Sequence, residues 1–158
     1  MKISDAGIKF IKDHEGLVLF AYDDMDPRFI KKPVMPGDTV RGTLTIGYGH
    51  TGTDVKPGLR ITASDADRLL DMDLELPQRW VSRLVTAPLT QNQFDALVDF
   101  VFNVGVENLR KSTLLERVNE KLYDAAADEF PKWIYSKGRI VEGLKSRRED
   151  ERKLFLGV

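Results

Sequence analysis

Two carboxylates stand nine positions apart near the start of the chain, Glu15 and Asp24. Glu15 precedes Gly16 and a six-residue, largely apolar run, Leu17–Tyr22. A carboxyl against apolar walls loses hydration when it ionises, so such a position favours a proton that can be given to a leaving oxygen. The plain alternative is a solvent-facing glutamate at a helix end. Asp24 closes the same run with Asp23 beside it, and along a strand the two look to opposite faces. A facing acid and carboxylate are what glycoside hydrolysis requires. Nine extended residues span roughly 30 Å, so the chain must fold back for the pair to cooperate. Thr45 offers a hydroxyl that donates to a carboxylate and accepts from a water; its other reading is an ordinary strand threonine. His50 follows two glycines, where an imidazole serves as a base, a metal ligand or a buried partner of an acid. The chain has two histidines, His14 and His50, and no cysteine, so three-histidine and cysteine zinc sites are excluded.

The elements that must position these groups are legible in outline. Residues 4–15 read as a helix capped by Ser4, with Ile8, Phe10 and Ile11 on its apolar side and Gly16 as a left-handed stop. Residues 17–22 and 43–48 read as strands. Between them, residues 25–42 form a long loop with four basic side chains (Arg28, Lys31, Lys32, Arg41) against Asp26 and Asp38. Loops of that length are often functional, although a solvated insertion is also tolerated. Thr62 to Asp65 is a capping box with Asp in place of Glu, opening a helix with Leu69, Leu70, Leu74 and Leu76 on one side. Pro77 lies inside that helix, and a kink or break is expected there. Thr90 to Gln93 is a second capping box. The helix it opens is apolar nearly all round, ends at Gly105 and should be the central buried one. Further helices are expected at 112–120, 123–135 and 143–155.

Composition bounds the class. The chain has 158 residues, 42% apolar and 31% charged, which is ordinary for a folded domain. With 24 Lys+Arg against 25 Asp+Glu, it lacks the bulk basicity that holds proteins on nucleic acid or anionic membranes. No stretch approaches the roughly 20 apolar residues of a membrane span. No signal core is present, because Asp5, Lys9, Lys12 and Asp13 interrupt the N-terminal segment. A monomer is the default.

Taken together, these residues carry a family pattern. E-G-x-x-L-x-A-Y-x-D runs from Glu15 to Asp24, and T-I-G-Y-G-H-T from Thr45 to Thr51. L-L-x-x-D-L stands at Leu69–Leu74, L-T-Q-N-Q-F-D-A-L at Leu89–Leu97 and F-N-V-G at Phe102–Gly105. S-T-L-L stands at Ser112–Leu115 and G-L-x-x-R-R-x-x-E at Gly143–Glu151. The chain resembles the phage-type lysozymes, the endolysins of the T4 and lambdoid-phage kind (glycoside hydrolase family 24). Only residues 25–42 stand outside the match; 20 residues separate Asp24 from Thr45, more than in many members.

The resemblance implies an α+β fold, mainly α and lysozyme-like. It would be one catalytic domain, with a small β-hairpin lobe (about 1–60) and a helical lobe (about 85–158) joined by a long helix (about 63–84). Glu15 takes the general-acid position, Asp24 the carboxylate and Thr45 the third member that holds the hydrolytic water with it. Members of the T4 kind invert the anomeric carbon. Phe102, Asn103, Thr113 and Gly49 take substrate-binding positions. His50 takes a structural position paired with Asp73, and Arg147 matches an arginine that contacts the acid, with Arg148 the adjacent alternative. No cofactor or metal is implied. The substrate would be the glycan strands of peptidoglycan, cut at the β-1,4 bond between N-acetylmuramic acid and N-acetylglucosamine for host lysis. The enzyme would gather in the bacterial cytoplasm and reach the wall through a holin-like pore, with no membrane anchor and no nucleic-acid partner. The rivals are a lytic transglycosylase, disfavoured by the presence of both Asp24 and Thr45, and an inactive wall-binding protein. A zinc amidase lacks ligands.

Overall fold

The structure is a computed structural model that describes residues 1–26 and 31–158. It is mainly α-helical with two small antiparallel sheets. Two compact units divide the chain, Lys12–Asp73 and Met1–Ile11 with Leu74–Val158. The division falls inside helix α1 (Asp5–Glu15) and helix α2 (Ala63–Leu84).

The unit Lys12–Asp73 is built on strands β1 (Val18–Asp23), β2 (Leu44–Gly47) and β3 (His50–Thr51) in the order β1-β2-β3. The expected strand 43–48 is β2, and β3 is a further short strand just beyond it. The turn between them needs positive φ at Gly47 and Gly49, which glycine supplies without steric cost. Tyr22 lies opposite Thr45 and Asp23 opposite Leu44, with an irregularity between Val18 and Tyr22. The other side of β1 pairs with residues 59–61, through Ala21 N–H to Leu59 O and Ile61 N–H to Leu19 O, both 3.0 Å. Ala21, Ile46 and Val55 form the buried core, with Leu44, Leu59, Ile61 and Leu69 packed on it. Gly16 has φ +72° and donates its N–H to Lys12 O, ending α1 as its sequence implies. Thr62 and Asp65 exchange the expected reciprocal cap, Asp65 N–H to Thr62 Oγ1 at 3.1 Å and Thr62 N–H to Asp65 Oδ2 at 3.0 Å. These bonds, with Arg68 alongside, hold Asp65 down to about 2.

The other unit centres on α3 (Gln91–Val104), buried at every position from Phe94 to Val101. Its Thr90–Gln93 capping box is complete. Around it lie α4 (Val106–Arg110), α5 (Thr113–Asn119), α6 (Tyr123–Ala127) and α7 (Glu142–Leu156). Phe100 meets Phe130 and Trp133 edge-on at 5.6 and 5.4 Å, and Phe130 meets Phe155 at 5.5 Å. The acids at 95 and 99 are buried within this apolar helix because each has a partner: Asp95 accepts from Ser4 N–H at 3.1 Å and from Ser4 Oγ, and Asp99 from Arg147.

Three sequence expectations change. The helix expected at 123–135 stops at Ala127; a 3-10 turn at Phe130–Lys132 follows, then a hairpin of β4 (Tyr135–Ser136) and β5 (Arg139–Ile140). Pro131 lacks the donor a continuing helix needs, and Lys137 and Gly138 both take positive φ, as a tight hairpin requires. α4 follows directly on Gly105, where only a stop was expected. No break occurs at Pro77, which lies inside the continuous α2. The expected loop 25–42 contains no helix or strand among its described residues, and its positions 27–30 lie outside them.

Candidate active site

In the unit Lys12–Asp73, β1 and β2 carry two of the chemistry-bearing residues to adjacent strand ends. Asp24 N–H donates to Thr43 O at 3.2 Å, and Thr43 N–H to Asp24 Oδ1 at 2.7 Å. With Tyr22 opposite Thr45, period-two alternation puts Tyr22, Asp24, Thr43 and Thr45 on one face. Asp24 and Thr45 are then diagonal neighbours, a relation that brings Cα atoms to roughly 7–8 Å. Asp23 faces the other way and is fully occupied: it accepts from Met25 N–H (3.0 Å), Arg41 N–H (2.7 Å) and Gly42 N–H (3.0 Å). These backbone donors, Arg41 foremost, hold its carboxyl below the usual range. Asp24 is exposed, whereas Thr45 is buried and donates its hydroxyl to Thr43 O at 3.1 Å.

Glu15, at the end of α1, lies against the β2–β3 turn. A Cβ built on Gly49 would stand 2.9 Å from Glu15 Oε2, so the carboxyl lies against bare backbone in the β2–β3 turn. Tyr22 stands on the same face as Asp24. Its phenol is pushed up, first by burial and then by the negative charges of Glu15 and Asp24. The tyrosine was not among the candidate residues read from the sequence. The signal was present: it shares a face with Asp24 by period two.

His50 is held at both ring nitrogens. Nδ1 lies 2.8 Å from Asp73 Oδ2, and Nε2 lies 3.0 Å from Asp54 Oδ2. Burial opposes its charge, but the two carboxylates outweigh burial and raise its pKa. With a carboxylate at each ring nitrogen, the charged form of the imidazole is favoured. Asp54 was not foreseen. It lies four residues on and is held below its ordinary value by His50. No group of three or more His, Asp or Glu side chains among the described residues is placed to hold a metal ion.

The remaining candidates belong to the other unit. Thr113 is exposed and lines a cavity of about 480 Å³ with Lys132, Trp133 and Tyr135. Asn103 Oδ1 accepts from Arg148 Nη2 at 2.9 Å, and Phe102 is half-buried on the last turn of α3. Arg147 grips Asp99 through Nε (3.0 Å) and Nη2 (2.5 Å). Burial resists ionisation of Asp99, but this two-point grip keeps it below the usual carboxylate range. Arg148 pairs with Glu151 at 2.7 Å. Burial, then the adjacent Asp99, push Glu151 well above the usual range.

The fold is mainly helical α+β, of the lysozyme type, and Glu15, Asp24 and Thr45 all lie in the unit Lys12–Asp73. Comparison with known proteins makes the assignment specific. The family model for phage lysozyme matches residues 12–151, and the chain belongs to that family. It is similar to the endolysin of Salmonella phage P22, 41% identical over 99% of both chains. It is also similar to the endolysin of Bacillus phage PZA, 43% identical over 98% of this chain and 55% of its relative. The chain thus spans about half the length of the PZA and B103 endolysins. Among solved structures, the muramidase domain of SpmX from Asticaccaulis excentricus superposes with TM-score 0.83 at 42% identity, covering 98% of this chain and 97% of that one. P22 lysozyme superposes with TM-score 0.80 at 40% identity, covering 99% of each.

Proposed function

We propose that this protein is an endolysin muramidase that hydrolyses the β-1,4 bond between N-acetylmuramic acid and N-acetylglucosamine in peptidoglycan. The observation that supports the reading is the β1–β2 register, which sets Asp24 diagonal to Thr45, together with the Glu15 carboxyl seated against Gly49 in the adjoining turn. Glu15, seated against Gly49, gives its proton to the leaving glycosidic oxygen. Asp24 and Thr45 hold the water that attacks the anomeric carbon, the aspartate accepting a hydrogen bond and the threonine orienting it. Gly49, Phe102, Asn103 and Thr113 contact the glycan. His50, Asp73 and Arg147 are structural, each within its own unit. Neither metal nor organic cofactor takes part. The protein acts as a monomer in host lysis, crossing from cytoplasm to wall through a holin-like pore; no helix among the described residues is long and apolar enough to span the membrane itself.

The test is digestion of purified peptidoglycan by the wild type and Glu15→Gln, with the new sugar ends identified by mass spectrometry. Reducing muramic acid ends from the wild type alone are expected, with the variant folded and inactive. Anhydro ends would make the protein a transglycosylase. An absence of new ends from both would make it a binding protein.

A further inference from the structure

The long loop that follows Asp24 is anchored at both its root and its middle. Its root is closed by the paired Asp24 and Thr43 backbones and by Asp23, which collects the Arg41 and Gly42 N–H groups. Its middle is anchored by Val34, which is buried. Val34 donates its N–H to Ala21 O at 2.9 Å and accepts from Gly58 N–H at 2.6 Å. Between root and anchor lies a cavity of about 410 Å³, within the range of small-ligand sites. Lys32 and Arg41 line it as cations, Asp26 and Asp38 as anions, Thr39 adds a hydroxyl, and Val34 an apolar wall. Among the described residues, neither the Lys32 ammonium nor the Arg41 guanidinium makes an ion pair. Asp38 Oδ2 accepts from Met35 N–H at 2.9 Å, which fixes that acid in place.

We propose that this cavity is a second binding site, for the short peptide that branches from muramic acid, with Lys32 and Arg41 taking a peptide carboxylate and the aspartates its free amine. The inference rests on the peptidoglycan reading above. Mixed charge selects the ligand class. A polyanion would meet the cations but be repelled by Asp23, Asp26 and Asp38, whereas a peptide with both a carboxylate and an amine satisfies both signs. The position gives the site a consequence. Asp23 lines the cavity, one position along the chain from Asp24, so a peptide held here tethers its glycan strand to the end of the hairpin that carries Asp24.

The experiment compares Lys32→Ala/Arg41→Ala with the wild type on intact sacculi and on glycan strands stripped of peptide by an amidase. The Asp23 latch uses the backbone N–H of Arg41, so the variant keeps the loop root. On sacculi, kcat/KM should fall roughly tenfold, the scale of one lost charge-assisted contact pair; on stripped glycan it should stay within about twofold. A Lys2→Ala/Lys56→Ala control removes equal charge elsewhere and should leave both rates unchanged. Equal loss on both substrates, no loss on either, or an equal loss in the control would overturn the proposal. Wild type that cuts neither substrate would instead refute the hydrolase reading itself. Free tetrapeptide L-Ala-γ-D-Glu-diaminopimelate-D-Ala should shift backbone amide signals of residues 31–41 in the wild type only, and an unshifted wild-type spectrum would equally overturn the site.

Discussion

Replacing Asp73 by Asn leaves His50 in place and removes one of its two carboxylates. The Asp73 side chain is 28% exposed and that of His50 10%, so the pair sits near the buried end of the range. Breaking a buried pair costs about 3–5 kcal/mol. Asp54 remains as a second acceptor, which argues for the lower end, about 3 kcal/mol. For a chain of this length that lowers Tm by roughly 6–12 °C. The pH dependence identifies the cause. The His50 pKa is raised by folding, so the stability it contributes is fully present below the unfolded histidine value near 6.5. That contribution is lost as pH rises through the raised folded value. The gap between wild type and Asp73→Asn should therefore be widest near pH 5.5. At pH 9 it should shrink to about 1 kcal/mol, the worth of a neutral hydrogen bond. Urea unfolding followed by circular dichroism at the two pH values measures it, and an NMR titration of His50 should show its pKa fall in the variant. Asp54→Asn is the control: that side chain is 61% exposed, and its loss should cost only about 0–1 kcal/mol. An equal loss at pH 5.5 and pH 9 would show that packing, not charge, holds the pair, and no loss at either would refute the pairing as a source of stability.

Gly49→Ala should cost about 1–2 kcal/mol, because φ is +81° there, and should cut turnover further by driving Glu15 from its seat; a variant with wild-type kcat would show that the carboxyl does not depend on that turn. Glu151→Gln should flatten the stability profile. The unfolded glutamate ionises above about pH 4.3 while the buried one keeps its proton, so wild-type stability falls as pH rises from there toward the raised folded value. Glutamine copies the neutral acid, and its stability relative to wild type should climb between pH 4 and pH 8 in denaturant titrations; parallel profiles would mean that Glu151 is ionised in the fold.

What the sequence shows depends on how far apart the interacting residues lie. The caps at Thr62 and Thr90 and the stop at Gly16 are written within four residues, and each is legible from side-chain chemistry alone. The break after Ala127 was also written locally, in Pro131 and Lys137–Gly138, but the surrounding apolar spacing suits a helix and hides it. Partners set by folding leave no such mark. Arg147 meets Asp99 from 48 positions away, and nothing in either residue's neighbourhood names the other. The Asp24–Thr45 interval shows the same limit from the other side. Twenty intervening residues suggest a disturbed site, yet loop entropy grows only as the logarithm of length, so a doubled loop costs about 0.6 kcal/mol. The hydrogen bonds that close the root, not the residue count, set the register. Asp24 pairs with Thr43 and Tyr22 lies opposite Thr45, so the two strands stay in register across the insertion. An insertion closed this way leaves the β1–β2 pairing in place and lines a cavity at its root, so one stretch of chain serves both a strand register and the second binding site proposed above.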